Sequence, residues 1–406
     1  MGLTTVLLSA AYGAERIDMI LIGHVVSSYN PVTLFLDPDP SVRYTLVPTT
    51  GYYSVPLGDE EAKRYVKQYF PRTYEGLLRY KFVMYSIPYI VPLTGKQISW
   101  LKAVVETGAS CALTDQGGLR MDVQYADFWV SCGMSDLFAN DAGTVLQTGK
   151  VPYSKSIWHL KVDRDAPNQV LLPLVPLGLE QIPALGLFYV VPKEGSVTLA
   201  EAEAVGMFMD IPGSPVRAPW LLHYEYGKGA TWTLCDNFVN PFWCGIYYGE
   251  VEGDLQTDVL MNIIWPSVGW ELPTDAALVH QMRIGFRDYI AKRLLQLGLI
   301  EFVDRFGADL APAENLMAQA DGAKAEAEEL YLDQNYDGSS ARLSTALDRL
   351  QEAAEVALKQ KNKALMWVFI IEWTSVTGTL MVCGAVLYSL MVRRRYYRQV
   401  ATTRMV

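Results

Sequence analysis

Between residues 15 and 270, short apolar runs alternate with amphipathic stretches; beyond 270 the pattern becomes helical. IDMILIG (17–23) reads as a buried strand, RYTLVPT (43–49) as a second and KFVMYSI (81–87) as a third. LTGKQISWLKAVVETG (93–108) places Ile98, Leu101, Val104 and Val105 on one helical face, with Thr94 near its start and Gly108 as its stop. SCALTD (110–115) is a fourth strand. This alternation predicts a mostly parallel sheet covered by helices. APWLLHYEYGKGATWTLCD (218–236) predicts a hairpin turning at Gly227-Lys228-Gly229, and DLQTDVLMNIIW (254–265) a closing helix. The stretch 140–220, rich in Pro, Leu and Val, reads only as β-rich insertions and loops.

Residues 277–303 have helical periodicity with mixed charge. Residues 312–334 are rich in Ala and Glu, NYDGS (335–339) reads as a turn, and 340–363 as a further helix. The last two predict an antiparallel helical hairpin, a stalk or docking surface, within 271–363. The final helix runs straight into 364–392, where 20 uncharged residues separate Glu372 from Arg393. A helix of ~20 such residues spans the ~30 Å core of a bilayer. Trp367, Trp373 and Tyr388 sit where interfacial aromatics belong.

The arginines of RRRYYR open a basic tail, 393–406, which the positive-inside rule places in the cytoplasm, although Lys359, Lys361 and Lys363 flank the other side. MGLTTVLLSAAYGA (1–14) is similar to the end of a signal peptide but lacks a positive leader. Together these predict a single-pass protein of the cell membrane with a large extracytoplasmic domain. The other reading makes the first residues a buried strand of a cytoplasmic domain. Glu372 reads as an interfacial carboxylate or as a contact to a partner helix. Gly378 and Gly384, with neighbouring Ser and Thr, offer a small-residue surface to such a helix, without a strict GxxxG.

The chain has 406 residues, half of them hydrophobic and 12% aromatic, so a large core is available. A net charge of −10 and the lack of a basic stripe before the very end argue against nucleic acid. The five cysteines form no CxxC pair and the four histidines no metal-ligand spacing, so neither metal nor cofactor is expected. Bridges Cys235–Cys244 or Cys111–Cys132 and buried free thiols both remain open.

Several stretches, in order, carry a resemblance: LFLDPDPSVRYTLVPT (34–49), FPRTYEGLLRYKFVMYS (70–86), the helix before ETGASCALTDQGG, and HYEYGKGATWTLCDNFVNPFW (223–243). Over residues 15–270 the chain resembles the class I glutamine amidotransferase-like proteins. The resemblance implies an α/β fold with a flavodoxin-like parallel sheet, here followed by the helical hairpin and one transmembrane helix. It does not imply the activity. Members of that class carry a Cys on a strand-to-helix elbow with a late His and Glu. Here the strand ends in Thr114, Asp115 and Gln116, and Cys111 lies inside it. His223 and Glu225 precede the GKG turn instead of following it.

The remaining candidates lie at C-terminal strand ends, where open α/β sheets bind ligands. Asp115, Gln116, Asp236 and Asn237 could line one cleft with His24, or serve only as loop caps. Lys228 lacks the flanks of a phosphate loop and reads as a solvated hairpin tip. The expected function is therefore non-catalytic binding or assembly, as an accessory subunit among other membrane or cell-surface proteins. Two alternatives stand beside it. One is a surface hydrolase or carbohydrate-acting enzyme using Asp115 and Asp236, whose carboxyl groups would have to converge within ~5–10 Å. The other is an extracellular ligand sensor signalling through a partner.

Overall fold

The four predicted apolar runs become β1 (Ile17–Gly23), β2 (Val42–Pro48), β3 (Phe82–Ser86) and β4 (Ser110–Thr114). The computed structural model describes residues 15–23, 32–49, 57–86, 89–114, 128–139, 157–181, 183–184, 191–205, 217–236, 238, 242–243 and 254–403. Within these, five more strands follow: β5 (Ile157–Val162), β6 (Pro183–Ala184), β7 (Val197–Val205), β8 (Arg217–Tyr226) and β9 (Gly229–Leu234). They join one nine-stranded sheet in the order β2-β1-β3-β4-β9-β8-β7-β5-β6. The first five in that order run parallel, and the rest pair antiparallel.

The parallel half is apolar on both faces, as helix-covered sheets require. Ile20, Ile22, Val83, Tyr85, Cys111 and Leu113 join one core with residues of three helices: α2 (Asp59–Tyr69), α3 (Tyr74–Leu78) and α4 (Gly95–Glu106). Their strand neighbours Met19, Leu21, Phe82, Met84 and Ala112 alternate onto the other face and are equally buried. A short helix α1 (Val32–Leu36) and helix α5 (Gln256–Ser267) pack together; α5 also packs on β9. Thr94 and Gln97 form a capping box that starts α4.

The GKG turn packs against the end of α4. Gly227 has φ 62°, and a Cβ there would lie 2.7 Å from Glu106 Cα. A Cβ on Gly229 would lie 2.1 Å from the Ala109 carbonyl oxygen. Lys228 N donates to Glu106 O at 3.1 Å. Glycine here serves close backbone approach, not phosphate binding.

In the antiparallel half, β8 and β9 form the hairpin expected over 218–236, while β5, β6 and β7 occupy the stretch read only as β-rich insertions and loops. Its Leu160, Val162, Leu199, Ala200 and Ala202 are buried, while His159–Glu203 and Lys161–Glu201 pair across strands beside an open polar groove. The edge strand β6 covers only Trp158 and His159 of β5, and beyond it a side chain blunts the exposed side of β5: Glu180 Oε1 accepts from Val162 N at 3.1 Å.

Three long helices follow: α6 (Ala276–Asp304), α7 (Ala311–Leu332) and α8 (Tyr336–Thr403). NYDGS, read as a turn, is helical from Tyr336 on. Asn335 Oδ1 accepts from Gly338 N at 3.1 Å, so the motif caps and opens α8. The chain divides into two compact units, one of residues 1–287 with 327–340, the other of 288–326 with 341–406. In the second unit α7 buries Ala313, Met317 and Ala320, and α8 buries Leu343, Ala346, Leu350, Ala353 and Ala357. Arg293 donates to both carboxylate oxygens of Asp321, at 2.9 and 3.0 Å, and Tyr289 OH joins them at 2.6 Å. Helix α8 has 68 residues, ~100 Å at ~1.5 Å per residue.

Candidate functional site

The C-terminal ends of β1, β3, β4 and β9 define the edge where the sequence places a cleft. His24, Asp115, Gln116 and Asn237 lie outside the described residues. Asp236 follows β9 and is fully buried, accepting from Trp220 Nε1 at 3.2 Å. Beside it stands an aromatic cluster. Trp220 meets Phe242 edge-on at 5.2 Å and stacks with Trp243 at 6.4 Å, and Phe35 and Phe238 close around Trp243. A carboxylate so enclosed holds the indole and offers no surface to an attacking water.

Register separates the other chemical groups. Cys111 pairs with Thr231, while Ala112 pairs with Trp232, and Trp232 pairs with His223. Paired residues share a face. Cys111 and His223 therefore point to opposite sides of the sheet, and no Cys–His dyad forms. Burial pushes the Cys111 thiol well above its ordinary pKa, the reverse of what a nucleophile needs. Cys111, Cys132 and Cys235 are free thiols, so the 111–132 bridge is not made and Cys235 is not bridged to Cys244.

On its own face, His223 lines a cleft of about 360 Å³ with Asn168, Glu225, Lys228, Trp232 and Ser267. Residues 223 and 225 share a side because they are two apart on β8. The amide Nδ2 of Asn168 lies 3.1 Å from His223 Nδ1, and the imidazole packs at 4.6 Å on the Trp232 ring. Burial holds the imidazole below its ordinary pKa, a neutral donor–acceptor. Trp232 Nε1 donates to Ser267 Oγ at 2.7 Å, Ser110 Oγ donates to Ser267 O at 2.9 Å, and Ala230 N donates to Ser110 Oγ at 3.2 Å. These bonds join β4, β9 and the end of α5. The cleft can hold a small polar molecule, and the hydroxyl of its Ser267 is engaged, donating to Ile263 O at 2.6 Å. It lies at the N-terminal edge of β9, away from the customary ligand edge. The H-Y-E motif was the only sequence signal for it.

A second group of polar residues is internal, with only His280 at its margin partly exposed. Arg283, on α6, donates from Nε to Asp39 Oδ2 and from Nη1 to Asp258 Oδ1, each at 2.7 Å. Tyr331 OH donates to Asp39 Oδ2 at 2.7 Å, and His280 Nδ1 lies 2.7 Å from Asp258 Oδ2. The guanidinium stacks over Trp265, whose Nε1 donates to Ser41 Oγ at 2.8 Å. Burial alone would lower the pKa of Arg283, but the oxygens of Tyr331, Asp39 and Asp258 raise it, so the charge is kept. With both carboxylates solvent-free, this is an internal clamp of the first unit, and no local sequence pattern announced it.

The intramembrane candidates lie on α8. Glu372 is exposed, and a Cβ on Gly378 or Gly384 would meet nothing within 4 Å. Spacings of six residues set Glu372, Gly378 and Gly384 about 120° apart around the helix, so they share no face. Leu380, Met381, Val382 and Leu387 are among many apolar side chains of this stretch left exposed. Among the described residues, α8 is the one helix long and apolar enough to cross a membrane.

The sequence matches no family model. It also matches no curated protein. Among solved structures, Cytoplasmic Protein STM3548 from Salmonella typhimurium is 14% identical, with a TM-score of 0.40 over 61% of this chain and 97% of its own. Cytoplasmic Protein STM1381 from Salmonella typhimurium LT2 is 13% identical, with a TM-score of 0.40 over 62% of this chain and 99% of its own.

Proposed function

We propose that this chain is a single-span membrane protein whose extracytoplasmic α/β domain binds or assembles with other membrane or cell-surface subunits and performs no catalysis. The observation that carries the reading is helix α8. It starts at the Asn335 cap and continues without a break through an apolar stretch that no protein surface covers among the described residues. Hydrocarbon left uncovered over ~20 residues is stabilised by a bilayer. The basic run at Arg393–Arg395 favours a cytoplasmic tail.

The domain itself is best read as flavodoxin-like, of the amidotransferase-like type. The strand order β2-β1-β3-β4-β9 follows the 2-1-3-4-5 order of that architecture. The non-catalytic reading is supported by Cys111 packed in the core on the face opposite His223, and by the enclosure of Asp236.

Purification from native membranes in mild detergent, with mass spectrometry of what co-purifies, tests the assembly role. Partner subunits in fixed stoichiometry are the expected result. A clean monomer with no partner would contradict it.

A further inference from the structure

The second unit carries an open groove of about 780 Å³ between the end of α6 and the start of α7. Its apolar lining includes Leu294, Leu297, Ile300 and Leu310. Leu294 is 70% exposed and Leu297 47%, and next to them Leu295 is 73% exposed. Apolar side chains this exposed, side by side on one helix, mark a surface that another molecule covers. The charged residues of the lining are all acidic: Glu301, Asp304, Asp309 and Glu314. Arg305 pairs with Glu301 at 3.1 Å but is itself outside the lining.

We propose that this groove docks an amphipathic helix with a Leu/Ile stripe and flanking Lys or Arg residues, supplied by another membrane protein next to its own span. The leucine floor fits an apolar helical stripe, as in helix-in-groove recognition. The acidic rim selects basic flanks and repels acidic ones. A second copy is a poor occupant, because its groove would bring four more carboxylates and a net charge of −10 per chain. An anionic lipid surface is disfavoured by the same acids. The position of the groove argues for a juxtamembrane segment. Phe302, at its α6 side, lies under Lys361 Nζ at 5.5 Å, and the apolar stretch of α8 begins three residues later. The partner would thus meet the groove close to the bilayer, and its basic flanks are called for by the acidic rim itself.

This rests on the membrane-anchored reading, and the test separates the two. A photo-crosslinking amino acid replaces Leu297 in the full chain in its native membrane, and the adduct is mapped by mass spectrometry. Carbonate extraction of the same membranes reports anchoring independently. The expected adduct is a juxtamembrane segment of another protein with a Leu/Ile stripe and basic flanks. Its yield falls roughly tenfold when Asp304→Lys and Glu314→Lys reverse the rim. Thermal unfolding of the reversed variant at the wild-type temperature shows that the loss is not misfolding. An adduct to lipid, to a second copy or to an acidic segment, no adduct, or a yield insensitive to rim charge overturns the groove proposal. If the chain is also washed off by carbonate, the anchored reading falls with it.

Discussion

Arg283 Nε lies 2.7 Å from Asp39 Oδ2, joining residues 244 positions apart in a site from which solvent is excluded. With Asp258 on its other side, the guanidinium ties the loop before β2, helix α5 and helix α6 into one unit. Removing one member of such a set leaves its partners charged and buried. Arg283→Ala should therefore destabilise the domain by ~3–5 kcal/mol in chemical denaturation. Tyr331→Phe, which deletes one donor to Asp39, should cost ~1–3 kcal/mol. Arg287→Ala, one turn along α6 at a half-exposed pair with Asp254, should cost under ~1 kcal/mol. Equal losses at positions 283 and 287 would refute the clamp.

The GKG turn gives a steric prediction. Gly229→Ala sets a methyl against the Ala109 and Val105 carbonyl oxygens, neither of which is a mobile side-chain end. The loss should reach ~3 kcal/mol, the upper range for overpacking. Gly95→Ala, with open space around it, should leave the melting temperature unchanged. Parallel thermal melts decide this.

Thiol reactivity tests the non-catalytic reading of the domain. Cys111 and Cys235 are fully buried with thiols pushed far up by burial, while Cys132 is partly exposed. Maleimide at neutral pH should label Cys132 in the folded protein and reach Cys111 only after denaturation. Rapid labelling of Cys111 would reopen covalent chemistry.

The strands were legible because a helix-covered parallel sheet needs near-continuous apolar runs. β1 coincides with IDMILIG, and the other three predicted runs differ from β2, β3 and β4 by about a residue at either end. Thr94 announced α4 through its cap. Helix α2 escaped notice because only Ala62 and Val66 of its eleven residues are buried, too few for a stripe. VTLAEAEAV in β7 does alternate, but its apolar positions are mostly alanine, a weak strand former. The candidate site was least legible. His223 meets Asn168 and Trp232 only through sheet register and a loop 55 residues away, and Arg283 finds Asp39 across the whole domain.

His223 makes stability depend on pH. Burial depresses its folded pKa below the unfolded value of about 6.5. The unfolded chain then binds the proton first, so the contribution is complete above pH ~6.5 and is lost as pH falls from there to the folded pKa. His223→Gln should flatten that part of the stability profile, and an imidazole resonance titrating at or above ~6.5 would contradict the assignment.

In the second unit the sign is the same for a carboxylate. The hydrogen bond from Arg293 holds Asp321 below its usual range against the opposing effect of burial, and Tyr289 OH adds to it. The staple should hold above the unfolded value near ~3.9 and weaken as pH falls through the lower folded one. Asp321→Asn should remove this acid-dependent step from helical circular dichroism.

The measurement that bears most directly on the account is protease accessibility in intact cells carrying a C-terminal tag, followed by carbonate extraction of the membranes. The account predicts that trypsin added outside cuts at Lys359–Lys363 and sheds the α/β domain, while a tagged fragment holding 364–406 stays protected in the membrane pellet. A full-length chain released by carbonate, or a domain protected until the cells are broken, would contradict it.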